Sequence, residues 1–275
     1  MMKKLLTTLV IAFSIPAFAV EYQSPRTLAL GGAGRAGPLL NDSIYLNPSY
    51  ASFTPIYSVS GGYTWFDQGR NYNISVQDAR TQLFQAGVAF TRREQNSAIN
   101  LGASKTIIRR LGVGVGSKFL IDDVTNKMTT DFTFSTSFIA TEWLYSSLIV
   151  DNLVSNSDAR KRNLFRTIYL GMKFVPTKEV EVYLDPFYSP SYPYGKKAGY
   201  SLGVEFGLLA DFYLRIGKFV NAEVSYLDTR GDGFGYGLGW IGPRMNIDFS
   251  IHRMTSGDRG VPFTTSHSLS ATIFI

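Results

Sequence analysis

From Ile56 to the C-terminus, apolar residues recur at every second position, in stretches of about ten separated by polar turns. A period of two reads as strands, and strands of this length suit a bilayer crossing. The first, Ile56–Phe66, sets Tyr57, Val59, Tyr63 and Trp65 on one face. Leu111–Ile121 opposes Leu111, Val113, Val115, Phe119 and Ile121 to Gly112, Gly114, Gly116 and Lys118. Glu179–Asp185 alternates Val180, Val182 and Leu184 with Glu179, Glu181 and Tyr183. A stretch at 233–240 alternates Gly235, Gly237 and Gly239 with Tyr236, Leu238 and Trp240. Glu142–Val150 is apolar on both faces, so its parity stays open. Counted this way the chain has about fourteen strands, an even number, which predicts an all-β, antiparallel transmembrane barrel.

The connections add a direction. Odd-to-even links (67–71, 92–96, 122–128, 151–163, 186–197, 220–232, 254–263) read as mostly long and polar, and even-to-odd links as short. Long loops on one rim and tight turns on the other predict an outward and a periplasmic end. In that register Trp65 falls at the outer rim, and Trp143 and Trp240 at the periplasmic rim, where indoles suit the interface.

The N-terminal fifth has a different pattern. Residues 1–19 read as a signal peptide: Lys3 and Lys4, an apolar run from Leu5 to Ile15, and Ala17-Phe18-Ala19 ahead of a cut after Ala19. Residues 20–54 follow, and 55–275 are the barrel. Within 20–54, Gly31, Gly32, Gly34 and Gly37 crowd together, followed by Asp42 and the pair Asn47-Pro48. Glycine tolerates positive φ, and the residue before proline is pushed out of helix. Such a segment threads compactly, either as a hatch inside the barrel or as a glycine-rich linker. The ladders at Gly112, Gly114, Gly116 and Gly235, Gly237, Gly239 strengthen the first reading. Glycine weakens a strand, so three on one inward face need a reason: the close approach of another backbone, with 31–37 as the candidate, or a wide empty lumen in which the glycines ease curvature.

Composition narrows the classes. The chain is 45% hydrophobic with 20 Phe and 16 Tyr, yet its mean hydropathy is +0.01, as alternation requires. No apolar run reaches helical spanning length, and there is no cysteine for disulfides or thiolate metal sites. The formal charge of +6 falls with loss of Lys3 and Lys4, and the compartment argues against nucleic acid as a partner.

The hatch pattern resembles that of the FadL/PorV-like superfamily, in which a Gly/Ala run, an acid and Asn-Pro-Ala precede the first strand; here Ser49 stands in place of that Ala. The segments SLGVEFGLLADFYLRIGKF (201–219), GFGYGLGW (233–240), MNIDFSIH (245–252) and HSLSATIFI (267–275) are similar to that family in order and spacing. LIVDNLVSN (148–156) resembles its Asn-Leu-Gly segment, with Val154 at the Gly. The resemblance implies an outer-membrane barrel passing small hydrophobic compounds, or a PorV-like scaffold that binds protein partners and conducts nothing.

Candidate chemistry is sparse. His252 falls inward with Asp248 and Ser250, while His267 falls outward near the outer rim, so they share no catalytic site. No pair of His or carboxylates has metal spacing, and no phosphate-cradling loop exists, so neither enzyme activity nor a cofactor or metal is expected. Lys118, Lys173, Glu181, Glu205, Arg215, Asp248 and His252 face the lumen, as paired struts from wall to hatch or as the lining of a path. In the link 186–194, Phe187, Tyr188 and Tyr192 are expected to offer an apolar surface for ligand capture, or to extend the girdle. Arg160-Lys161-Arg162 and Lys196-Lys197 are expected in solvated loops or on lipopolysaccharide phosphates. A monomer in contact with outer-membrane lipid is expected, with a small hydrophobic ligand or a protein partner.

Overall fold

The computed structural model describes residues 21–67, 69–209, 211–227, 229–258, 261 and 263–275; the signal peptide read over 1–19 lies outside them. Fourteen antiparallel strands close into one barrel: β1 Tyr57–Phe66, β2 Gly69–Asp78, β3 Gln85–Arg93, β4 Asn96–Ile108, β5 Leu111–Asp122, β6 Lys127–Ile139, β7 Leu144–Asp151, β8 Thr167–Thr177, β9 Val180–Tyr188, β10 Ala198–Leu208, β11 Phe212–Val224, β12 Thr229–Ile241, β13 Met245–Gly257 and β14 Thr264–Phe274. Each strand pairs with its sequence neighbours, and β1 closes on β14 from Ser58↔Phe274 to Phe66↔Ser266.

The alternation is inside-out relative to a water-soluble protein. On β6, Asp131, Thr133, Ser135 and Ser137 are buried inward while Phe132, Phe134 and Phe138 are exposed. On β14, Ser266, Ser268, Ser270 and Thr272 face in, and Leu269 and Ile273 face out. An outer surface of this kind is stable against hydrocarbon, and closure leaves no strand edge unpaired where water is absent.

Inside the ring lies the chain's own beginning. Ser24 caps α1 (Pro25–Ala29), its hydroxyl accepting from the Thr27 N–H at 3.2 Å, with Pro25 in the first turn, where a missing N–H costs nothing. The helix stops after one turn because Gly31 and Gly32 take φ of +66° and +85°. A 3-10 turn at Leu40–Asp42, then α2 (Ser43–Leu46) and a second 3-10 stretch at Pro48–Phe53 bring the chain to β1. Leu28, Ala29, Leu30 and Ala33 are buried.

Two expectations about the connections need correction. The links at 67–68, 94–95, 123–126 and 225–228 are short, because β2–β6, β11 and β12 run further at those ends than the apolar alternation alone indicates. The asymmetry survives in 152–166, which contains α3 (Ser157–Lys161), and in 189–197; these mark the outer rim. The last strand end before 189–197 was also misplaced. β9 continues through Pro186 to Tyr188, so Phe187 and Tyr188 belong to the wall. Proline can sit there because the β8–β9 register passes from Tyr169↔Phe187 to Met172↔Leu184, leaving Pro186 outside a ladder pair with β8.

Candidate functional site

The lumen collects nearly all the residues singled out from the sequence, and it is filled by residues 21–53. On one side α1 lies against β11, β12 and β13. A Cβ at Gly217 or Gly235 would overlap the backbone at Leu28–Gly31, and one at Gly237 would come 2.5 Å from the Ala29 Cβ. Gly31 itself sits with its Cβ position 2.9 Å from the Lys218 backbone N. Backbone therefore does approach the second ladder, but through α1 rather than through 31–37. Gly239 serves differently: a side chain there would fill the space through which Arg215 reaches Asp248.

Around α1 runs a chain of alternating charges. Arg26 donates from Nε to Glu205 Oε2 at 3.1 Å and from Nη2 to the Tyr183 hydroxyl at 2.6 Å. Arg215, fully buried, bridges Glu205 and Asp248, and Asn246 Nδ2 donates to Asp248 Oδ2 at 2.6 Å. Tyr183 donates to Glu181, which pairs with Lys173 at 2.7 Å. The register explains the set. Glu205 stands directly across from both Glu181 and Arg215, so two like charges on adjacent strands are held together by three cations.

Higher in the barrel, Gly34 N and Arg35 N both donate to Asp185 Oδ2, at 2.9 and 3.0 Å, and the Arg35 guanidinium lies 3.7 Å above the Tyr169 ring. Lys118 Nζ joins Glu21 at 2.8 Å to Asp151 at 2.7 Å. Gly37 packs against the Lys173 stem.

Apart from the Lys118–Glu21 pair on β5, the opposite side, on β1–β6, holds the segment by neutral groups. Asn41 Nδ2 donates to Ser75 Oγ at 2.9 Å, Ser43 Oγ to Gln77 Oε1 at 2.6 Å, and Asn47 Nδ2 to Ser137 Oγ at 2.8 Å. Asn47 also donates to the Arg35 carbonyl at 2.7 Å, tying the two halves of the segment together. The Ser49 N–H donates to Ser135 Oγ at 3.0 Å. Here the first glycine ladder meets backbone: a Cβ at Gly114 would overlap Pro48-Ser49, one at Gly112 would lie 2.8 Å from the Ser49 carbonyl, and Gly116 faces the Pro48 ring. Between the two sides, Asp42 accepts from Ser24 Oγ at 2.8 Å; burial pushes its carboxyl up to about 6, against the pull of Arg26 and of that hydrogen bond.

Other sequence-derived residues fall elsewhere. His252 is buried, stacked 4.5 Å from Phe219 and hydrogen-bonded through Nδ1 to the Tyr226 hydroxyl at 3.0 Å. His267 faces outward, stacked 5.5 Å from Trp65. The proposed capture surface does not form. Phe187 and Tyr192 are buried, flanking the Arg230 guanidinium at 5.1 and 3.9 Å, while Tyr188 is exposed on the outer wall. In the basic loop, Arg162 is also buried, donating to the Leu120 and Lys127 carbonyls, so it is not free for a phosphate. Arg26, Arg35, Asp185, Asp151 and Tyr183 hold the segment in the lumen, and the sequence reading did not single them out. For Asp185 and Tyr183 the inward parity of β9 was an available signal.

The space left in the lumen is small. A cavity of about 20 Å³, bounded by Tyr22, Asp42, Tyr45 and Asp248, holds one water at most. A second space, of about 250 Å³, opens at the outer rim among Lys196, Asn221, Asp232 and Asp258. On the lipid side of the wall, an apolar hollow of about 610 Å³ crosses β2–β6, lined by Val76, Val88, Leu101, Ala103, Val115 and Phe132. Behind it the inner face consists of Gly87, Gly102 and Gly116, backed by Ile44 and Pro48.

No family model and no curated protein matches the sequence. Solved structures do. The CymD monoaromatic hydrocarbon channel superposes with a TM-score of 0.66 at 11% identity, over 94% of this chain and 99% of that one. The toluene transporter TbuX of Ralstonia pickettii gives 0.64 at 10%, over 92% and 98%. A FadL homologue of Pseudomonas aeruginosa gives 0.62 at 11%, over 93% and 99%. The chain has the FadL-type barrel fold. At such identities the likeness fixes the fold-level resemblance read from the hatch and the C-terminal third, and nothing finer.

Proposed function

We propose that this FadL-type barrel is a gated channel passing small hydrophobic compounds across the outer membrane, with residues 20–54 as its hatch. One observation carries the gating. Among the described residues, the segment that fills the lumen joins the wall along the chain at β1, and its other ties to the wall are hydrogen bonds and ion pairs involving side chains, and packing contacts. Such a plug can move without breaking the ring. The hydrophobic class of ligand is supported by the likeness to CymD, a monoaromatic hydrocarbon channel, and TbuX, a toluene transporter, and by the apolar hollow on β2–β6. Export follows cleavage after Ala19, checked by mass spectrometry of the purified protein. The barrel acts as a monomer without catalysis, seated in lipid and lipopolysaccharide.

The deciding experiment measures uptake of radiolabelled toluene and of oleate in cells whose own hydrophobic channels are deleted. Wild type should exceed the empty vector, Val88→Trp should reduce uptake at equal barrel abundance, and deletion of residues 26–48 should raise single-channel conductance. Uptake of both probes at vector level overturns the reading. A second reading is favoured by the buried ion pairs of Arg26, Glu205 and Arg215, which lock the lumen shut: a PorV-like scaffold that conducts nothing. It expects a specific envelope protein to co-purify while both probes stay outside.

A further inference from the structure

Four cations on the outer wall have no place in the lumen chemistry. Lys218 on β11, Arg253 on β13, Arg70 on β2 and Arg92 on β3 are all exposed and point away from the barrel axis, toward the rim marked by the long loops. The register sets them in one row. Lys218 pairs with Phe234, Phe234 with Arg253, and Arg253 with Thr265. Two residues along β14, His267 pairs with Trp65, which pairs with Arg70; one outward step further, Tyr72 pairs with Arg92. The row runs from β11 to β3 across the β14–β1 closure, an arc of roughly 29 Å at the usual strand spacing.

Among the described residues, none of these four has a carboxylate in ion-pair reach. What they have is aromatic: Lys218 Nζ lies 6.0 Å over the Phe234 ring and the Arg70 guanidinium 5.9 Å from the Tyr72 ring. Of the acids at that rim, Asp67 and Glu94 belong to turns beyond the strand ends, while Asp232 is taken by the Asn221 N–H and Ser256, and Asp258 by the Tyr192 hydroxyl. Just below the cations the wall is apolar, with Tyr72, Ile74, Phe249, Tyr236 and Leu269 exposed. A cation at such a depth is costly unless an anion meets it, and the anions available at the top of a hydrocarbon layer are lipid phosphates.

The cations fall into two groups, Lys218 with Arg253 around Phe234, and Arg70 with Arg92 around Tyr72, separated by the stacked Trp65 and His267. A phospholipid carries one phosphate and can meet one group. A glycolipid with a phosphate at each end of a disaccharide can meet both, its acyl chains lying on the apolar wall beneath. We propose that this row binds the bisphosphorylated lipid A headgroup of lipopolysaccharide. The proposal uses the outer-membrane placement above, but not the transport reading.

The test is binding to full-length barrel in detergent, read by native mass spectrometry. The probes are bisphosphoryl lipid A, monophosphoryl lipid A and phosphatidylglycerol. Bisphosphoryl lipid A should bind about tenfold tighter than either other probe, as a second charge-assisted phosphate contact provides. The paired change Arg70→Gln with Arg253→Gln should erase that preference, while Lys105→Gln with Arg110→Gln at the opposite rim leaves it intact. Heat-modifiability on gels verifies that each variant is still a closed barrel. Equal binding of the three probes, or an undiminished preference in the Arg70/Arg253 variant, overturns the proposal. Uptake of hydrophobic compounds does not enter the readout, so failure here and failure of the channel reading are separable.

Discussion

The two sides of the lumen hold the same segment by different physics. Toward β10–β13 the contacts are ionic and buried: Arg26, Glu205, Arg215 and Asp248 depend on one another for charge balance. Toward β1–β6, beyond the Lys118–Glu21 pair, they are neutral: Asn41, Ser43, Asn47 and Ser49 exchange hydrogen bonds with wall Ser and Gln. Breaking a buried ion pair by removing one member costs about 3–5 kcal/mol. A neutral hydrogen bond contributes about 0.5–1.5 kcal/mol, and wall hydroxyls freed on that side can be rehydrated. If the segment is released, release is expected to begin on the β1–β6 side, at Pro48–Phe53, with α1 as the pivot.

The comparison can be broken most directly at its strong side. Arg26→Leu leaves Glu205 short of one cation and the Tyr183 hydroxyl without the guanidinium that donates to it, and should weaken docking by about 3–5 kcal/mol. Hydrogen exchange over residues 25–37 should rise sharply and conductance with it; unchanged protection would show that the ionic side is not the anchor.

Next in size is an effect of pH. Asp42 keeps its proton up to about 6 when docked, above its ordinary value, so the docked state binds more protons through that interval. Docking should weaken as pH rises from about 4 to about 6, by up to about 3 kcal/mol, and level off above. Conductance measured across that range should follow, and Asp42→Asn should flatten the profile.

The glycine ladders compare the two sides by the same insult. Gly237→Leu drives a side chain into Ala29, and Gly114→Leu into Ser49; overpacking of this kind costs about 1–3 kcal/mol. If α1 is the pivot, Gly114→Leu should expose only residues 43–53 to proteolysis, and Gly237→Leu the whole segment. Identical cleavage patterns would erase the distinction.

Smallest is Ser49→Ala, which removes one hydroxyl but leaves the Ser49 N–H on Ser135. It should change docking by about 1 kcal/mol, visible as a modest rise in exchange confined to residues 47–53.

Most of the wall was legible in the sequence because lipid and lumen impose opposite demands on alternate residues, and β5, β8, β12 and β13 carry that contrast without interruption. The pairs Glu205–Arg215 and Lys173–Glu181 were legible for the same reason: parity and a short turn bring them together. Arg26 was not, since nothing local distinguishes a helix-borne arginine that reaches the wall from one in a linker; its partner Glu205 is 179 positions away. Phe187 and Tyr192 misled because Pro186, Pro190 and Pro193 read as loop chemistry. The β8–β9 ladder leaves room for Pro186, and Arg230, on a distant strand, draws both rings inward. The short links at 67–68 and 94–95 misled because the strand ends there are polar, and polar strand ends look like loop.

The covalent tether of the inner segment has a consequence for how the protein is assembled. Residues 21–53 precede β1 and touch strands on both sides of the seam, β1 and β14 included, whereas the ring itself is a ring only where β14 meets β1. A sheet curling toward closure has on its inner face the row of serines, glycines and charges that this segment satisfies. Those groups are unpaired until it arrives. In the closed molecule the segment sits in the ring as a mandrel sits in a coil, with the inward serines, glycines and charges of both halves of the wall packed against it.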